Sequence, residues 1–335
     1  NIHILRPLYV PVSNAIRRTF GTRGYVFAIC KFLRRLPEMY FRNYINSYRS
    51  PYGYKSIDEE RHKVINMQVH VLGDNNKGKV IMLLENQSHH AGFCAIWVYI
   101  LNRLSFSDKM GFYHVIDWEE SEFYQEDHPI HGSTSIFEYY FEQPSGISLA
   151  DARKSNFVVY DWNSPEYGYN DAFHVGDNND YRFTDKDVEQ FAKIQRKYIH
   201  LHKEIELSIK DQVEKLFQGK TNVIGVHARG ADTKIGYKGH PTIVTSEDYI
   251  NETEKMVKKF KADMIFLATD DQVMLDQFKN AFGNRLVYYE DVIRSTSTIM
   301  NCFIEEKREN HHYLLGLEII RDVYTLAACR GFVCG

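Results

Sequence analysis

The run NVIGVHARGADTKIG, residues 222–236, decides how this 335-residue chain folds. Its first five residues, 222–226, form a short apolar segment of strand length, and a polar loop bearing glycine follows at once. Downstream the pattern alternates. A helix is expected over 246–260, a strand over 264–268 (MIFLA), a helix over 272–282, a strand over 286–288, a helix over 313–328, and the start of a strand over 331–334. Such alternation is the mark of an α/β domain with a parallel sheet, and open sheets of that kind meet their ligands beyond the carboxyl ends of the strands. The loop after residue 226 stands at that position.

Upstream the same alternation is present. A strand over 79–84 (KVIMLL) is followed by a loop with His89, His90 and Gly92, an apolar helix over 95–104, a strand over 112–116 ending at Asp117 and Trp118, and a further strand over 157–160. The polar residues 75–79 precede their strand and read as a turn. Between the halves, apolar residues from Phe191 to Leu216 recur at three- or four-residue steps, which predicts one long amphipathic helix over 185–217. The fold expected is α/β, with two Rossmann-like domains facing a cleft. Residues 1–75 form a basic N-terminal segment, 76–217 an N-terminal domain ending in the linker helix, and 218–335 a C-terminal domain.

With 44% hydrophobic and 25% charged residues, the chain has the composition of a globular protein, which excludes disordered and collagen-like classes. A net charge of −3 argues against a nucleic-acid partner. The charge is uneven, because the first fifty residues hold eight arginines and one lysine against Glu38 alone, a local charge of about +8. Residues 15–42 interleave these cations with apolar side chains, so the segment is either a helix lying on a membrane surface or a solvated helix packed on the body of the protein. No apolar run reaches the ~20 residues that span a bilayer. Five scattered cysteines without a metal-ligand spacing suggest reduced thiols, and with them a cytoplasmic setting, membrane-associated if the basic segment acts as an anchor.

Within the loop after residue 226, His227, Arg229, Asp232 and Lys234 fall inside eight residues. A guanidinium clamps phosphate oxygens in pairs, a lysine adds a point charge, and Gly230 and Ala231 let backbone amides approach an anion. The alternative is a polar turn whose charges face solvent. The pattern is neither a Walker A loop nor a GxGxxG fingerprint. Asp270 and Asp271 end the strand 264–268, where they suit a nucleoside, a metal or, for Asp271, the cap of the next helix. Asp322 falls in an otherwise apolar helix, so it has either a protein partner or a ligand.

The phrase VIGVHARGADTKIG, followed by His240-Pro241, Glu247-Asp248-Tyr249, FLATDDQVMLDQFK, Ile293-Arg294-Ser295-Thr296-Ser297 and GLEIIRDVYTLAACRGFVCG, resembles the C-terminal half of the GDP-fucose-dependent fucosyltransferase superfamily. Weaker likenesses lie at Gly92-Phe93, at 114–118 and at 136–142, so the resemblance covers roughly residues 80–335. It implies a GT-B fold and an inverting, metal-independent transfer from a GDP-sugar, most readily GDP-fucose, with no other cofactor. His227 and Asp322 would contact guanine, Arg229 the β-phosphate, and Asp270 and Asp271 would lie near the nucleoside. The acceptor would be a glycan or glycolipid. Trp97, Trp118, Tyr139, Tyr140 and Trp162 are candidates for stacking on sugar.

The chain departs from the family pattern at several places. Gly230 follows Arg229 where the family often has a second arginine, and Lys234 is the available substitute. The general base is open between Asp232 and His240. The sequence stops at Gly335, where the family continues into a serine-bearing phosphate loop, so a truncated donor domain is expected. Two other readings remain: a transferase for a different GDP-sugar, and a non-catalytic nucleotide- or glycan-binding protein on the same fold.

Overall fold

The structure, a computed structural model, describes residues 69–85, 91–160, 185–230, 244–296, 301–304 and 307–334. The chain divides into two compact units. One comprises Asn1–Ser88, Cys94–Glu119 and Phe141–His200. The other comprises His89–Phe93, Glu120–Tyr140 and Leu201–Gly335. The basic segment 1–50 and its expected helix lie outside the described residues.

In the N-terminal unit the strands are β1 (Val69–His70), β2 (Asn75–Glu85), β3 (Tyr113–Asp117) and β5 (Ser155–Tyr160), in the order β1-β5-β2-β3. β2 pairs in parallel with both β3 and β5, and β1 runs antiparallel at the edge. Burial on both faces accounts for the unbroken apolar run in β2, where residues 80–83 are fully buried. The turn expected at residues 75–79 is instead the irregular start of β2. Asn76 and Gly78 adopt left-handed φ values of 52° and 83°, the register against β5 shifts there, and the Asn76 amide donates to Ser155 Oγ at 2.9 Å. Helix α1 (Phe93–Met110) leads from β2 to β3, and Ile81, Leu83, Val115 and Val158 form a core with Leu149 and Ala152 of α3 (Leu149–Ala152).

The C-terminal unit holds a fully parallel sheet of β7 (Val223–His227), β8 (Met264–Ala268), β9 (Leu286–Val287) and β10 (Gly331–Cys334), in the order β10-β7-β8-β9. Helices α6 (Ser246–Phe260) and α7 (Gln272–Phe282) have the bounds that the sequence pattern predicts, and α8 (His311–Ala327) returns the chain to β10. One face of the sheet packs Ile224, Val226, Ile265 and Leu267 against Tyr249, Val257, Leu275 and Phe278 of α6 and α7. The other face packs Val223, Phe266 and Ala268 against Phe217, Tyr289 and Leu326. Gly225 is required here, because a Cβ on it would come within 2.9 Å of Leu326 Cδ2.

The single linker helix expected over 185–217 is two helices, α4 (Asp185–Tyr198) and α5 (Lys203–Phe217), with β6 (His200–Leu201), the pairing partner of β4 (Phe141–Glu142), between them. The break occurs because the His202 N–H donates to the Tyr140 carbonyl at 2.9 Å and His202 then serves as the N-cap of α5. Heptad-like spacing of apolar residues continues through the interruption, which hid it. The compact units also cut the chain differently from the contiguous division at 217/218. Residues 120–140, including α2 (Ile136–Tyr140), belong with the C-terminal unit. There the Tyr140 ring stacks on Tyr313 at 5.3 Å, its hydroxyl donates to the Tyr313 carbonyl, and Gly316 leaves the space that this hydroxyl fills. Among the described residues no helix is long and apolar enough to cross a membrane.

Candidate functional site

His227 is the last residue of β7, in register with Ala268 of β8 and Cys334 of β10, so it stands at the carboxyl edge of the sheet. The Ala228 N–H still donates to the Ala268 carbonyl at 3.0 Å, after which the chain leaves the sheet and Arg229 is exposed. Burial of the His227 ring holds its pKa below 6.5, against the pull of Asp270, and the Arg229 charge adds to the depression. His227 is therefore a neutral imidazole at pH 7, with one nitrogen to donate and one to accept. Although the residue exposes part of its surface, its ring sits among enough protein atoms to be desolvated.

Gly230 brings the loop down onto the β8–α7 turn. Its N–H donates to Asp270 Oδ1 at 3.2 Å, and a Cβ at this position would lie 2.5 Å from the Cβ of Asp271. A side chain is excluded there, which explains the glycine that follows Arg229. Asp271 is buried and caps α7: its Oδ1 accepts from the Val273 N–H at 2.8 Å and the Met274 N–H at 3.2 Å. Of the two acids expected near the nucleoside, Asp271 is thus committed to the helix, and half-buried Asp270 faces the loop.

The segment after β9 is stitched to the same turn. Ser295 N–H donates to the Asp270 carbonyl at 2.8 Å, and Gln272 N–H donates to the Ser295 carbonyl at 2.9 Å. This brings in Arg294, for which the sequence pattern suggests no role. Its guanidinium donates to the carbonyls of Tyr289 and Val292 and lies over the Tyr288 ring at 5.3 Å.

Asp322 approaches from α8. This helix precedes β10, which runs parallel to β7, so α8 is antiparallel to the strands. Asp322 lies one turn before Leu326, whose side chain touches the Gly225 level, and is therefore nearer the carboxyl edge of β7. Its neighbour Arg321 forks onto Asp291 at 2.8 and 2.7 Å, donates to Gln212 of α5 at 2.8 Å, and lies 3.9 Å from the centre of the Tyr289 ring. That fork takes the partner Asp322 would otherwise have. Among the described residues the half-buried Asp322 carboxyl makes no hydrogen bond and no ion pair. Burial pushes its pKa up to about 7, Arg321 and Arg294 pull it down, and Glu318 and Asp291 add to the rise. Neighbouring Glu318 differs, since it is paired with Arg308 at 2.6 Å.

Asp232, Lys234 and His240 lie outside the described residues, so the candidates for general base and second cation have no geometry to report. Three of the residues expected to stack on sugar are core instead: Trp118, Tyr139 and Tyr140 are fully buried. Trp97 packs on Phe141 at 4.9 Å, and Trp162 lies outside the described residues. Aromatic composition reports core and surface alike, which is why it misled. Among the described residues one group has the spacing to hold a metal ion, Glu126, Asp127 and His128. Its atoms are engaged already: Glu126 accepts the Tyr313 N–H at 2.8 Å, and the two His128 nitrogens meet Asp127 at 2.7 Å and Asn310 at 2.9 Å.

No protein-family model matches the chain, and no curated protein matches it. Among solved structures the chain is similar to NodZ α-1,6-fucosyltransferase soaked with GDP-fucose, at 18% identity over 76% of this chain and 88% of that one, with a TM-score of 0.44. It is similar also to NodZ co-crystallised with GDP, at 17% identity, 76% and 88% coverage and a TM-score of 0.43, and to fucosyltransferase NodZ from Bradyrhizobium, at 17%, 76%, 87% and 0.42.

Proposed function

We propose that this chain is an inverting, metal-independent glycosyltransferase that moves fucose from GDP-fucose to a hydroxyl of a glycan or glycolipid, with its two units as the Rossmann-like halves of a GT-B enzyme. The observation that carries the reading is Asp322, a half-buried carboxyl with no hydrogen bond or ion pair among the described residues, on the helix that packs behind the strand bearing His227. An ionised carboxylate accepts two hydrogen bonds side by side, and the N1–H and 2-amino group of guanine present two donors in that arrangement. Neutral His227 supplies a further polar contact to the base.

In the proposed reaction the acceptor oxygen attacks the anomeric carbon from the face opposite GDP, and the bond to the β-phosphate oxygen breaks with its electron pair. The leaving GDP gains negative charge on that oxygen, and in this reading Arg229 stabilises it as it forms. The hydroxyl proton passes to a base, for which Asp232 and His240 are the candidates. Asp270, holding the Gly230 amide, fixes the loop that presents Arg229.

A two-part experiment tests this. GDP at a hundred times its dissociation constant is expected to stabilise the fold by about 2.7 kcal/mol, read as a rise in Tm, while UDP gives no shift. GDP release from GDP-fucose, GDP-mannose and UDP-glucose with a glycan acceptor then identifies the donor. A shift with UDP equal to that with GDP sinks the guanine assignment, and a GDP shift without release from any donor sinks catalysis.

A further inference from the structure

The opposite pole of the C-terminal sheet, at the amino ends of its strands, carries cations from four separate connections. Lys220 follows α5, Lys259 and Lys261 end α6, Arg285 precedes β9, and Arg330 precedes β10; all five are exposed. Backbone contacts bind these connections into one surface. The Asn222 side chain donates to the carbonyls of Phe260 and Lys261 at 3.1 and 2.9 Å, and the Arg330 N–H donates to the Val223 carbonyl at 2.8 Å. Arg285 donates to the Ala262 carbonyl at 2.7 Å. Lys259 and Arg330 both lie against the Phe260 ring, at 5.3 and 5.7 Å from its centre.

Nearby Lys215 and Lys258 are paired with Asp211 and Glu254. By contrast, none of the five makes an ion pair among the described residues, although exposed Asp263 follows Lys261 by two positions. A lysine near a helix end is ordinary, because it complements the helix dipole. Lys220 and Arg330 lie outside the helices, and the chain as a whole is acidic, so the concentration here exceeds what the dipoles ask for.

We infer that this pole is a docking surface for an anionic lipid leaflet, held by charge without a shaped pocket, with the carboxyl edge of the sheet turned away from it. The chemistry favours a lipid surface over nucleic acid. A single-strand binder interleaves its cations with several exposed aromatic rings on which bases stack; here Phe260 is part-buried beneath two of the cations, and exposed Phe332 beside Arg330 is a single apolar ring of the kind that enters a headgroup layer. Headgroup phosphates ask only for positive charge in one plane.

Co-sedimentation of the full chain with vesicles of phosphatidylcholine alone, and with 30% phosphatidylserine (a working composition of about that value), reads the contact. Wild type is expected to bind the anionic vesicles only, and to release them at about 0.5 M salt. The variant K220Q/K259Q/K261Q/R330Q is expected to lose at least about twentyfold in partition, since each cation near an anionic surface contributes about fivefold. A second variant, K220Q/R330Q, is expected to lose an intermediate share, and its smaller change guards against damage to the fold. Wild-type partition by both variants overturns the inference and leaves lipid contact to residues 1–50. So does loss of binding to poly(U) in the variants while vesicle binding stands.

Discussion

Asp322 titrates in the range where the protein would work, and the guanine contact proposed for it fixes the sign of the effect. Only the ionised carboxylate accepts from both guanine donors. With its pKa pushed up to about 7 in the free protein, GDP affinity is expected to fall about tenfold for each pH unit below 7 and to level off above it. His227, held neutral by burial, adds no slope above pH 6.5. Asp322→Asn should weaken GDP binding at pH 8 by at least about tenfold, some 1.4 kcal/mol, and abolish the pH dependence. The same substitution should raise Tm at pH 8, because a partly desolvated charge without a partner opposes folding. Isothermal titration at pH 6, 7 and 8, with melts alongside, separates this from a structural acid, whose removal would lower Tm. In the sequence Asp322 was visible as an acid on an apolar helix, but the fork of Arg321 onto Asp291, which leaves it without a partner, was not. The two are thirty residues apart, and no local pattern links them.

At the scale of elements, the strands and helices around the sheets followed from period and length alone. Ser246–Phe260 has a full capping box in Thr245 and Asp248, and Gln272–Phe282 a capping aspartate, so local signals and tertiary packing agree. The interrupted helix at 199–202 did not follow, because its cause is a hydrogen bond to Tyr140 sixty residues earlier. The paired acids at 270–271 show the same limit. Their position was legible and the division of labour was not, since it depends on which carboxylate turns toward the first amides of α7. Asp271→Ala is expected to cost about 1 kcal/mol of stability through loss of that cap, and Asp271→Asn to recover most of it. Urea unfolding of the three proteins checks this, and equal midpoints would show that the cap contributes nothing.

For the molecule as a whole, acid sensitivity should come from the N-terminal sheet. His114 on β3 is fully buried against Ser107 Oγ at 2.6 Å and edge-on to Tyr198, and burial lowers its pKa to about 3. Below pH 6.5 the unfolded chain takes up a proton that the folded chain refuses. Stability is therefore flat above pH 6.5 and falls by about 1.4 kcal/mol per pH unit toward pH 3 on account of this residue. Urea midpoints between pH 7.5 and 5 should show the slope, and His114→Phe should remove one proton's share of it; an unchanged slope would clear His114 of that role. The excursion of residues 120–140 into the C-terminal unit has a practical consequence of another kind. A gene cut once between the two sheets, at codon 217, would deliver a downstream fragment that lacks Tyr140 and Glu126, exposing the groove at Gly316 and the bare first amides of α8. Anyone who wants the C-terminal half in isolation must graft that upstream piece back, as a second chain or through a rewired order of segments.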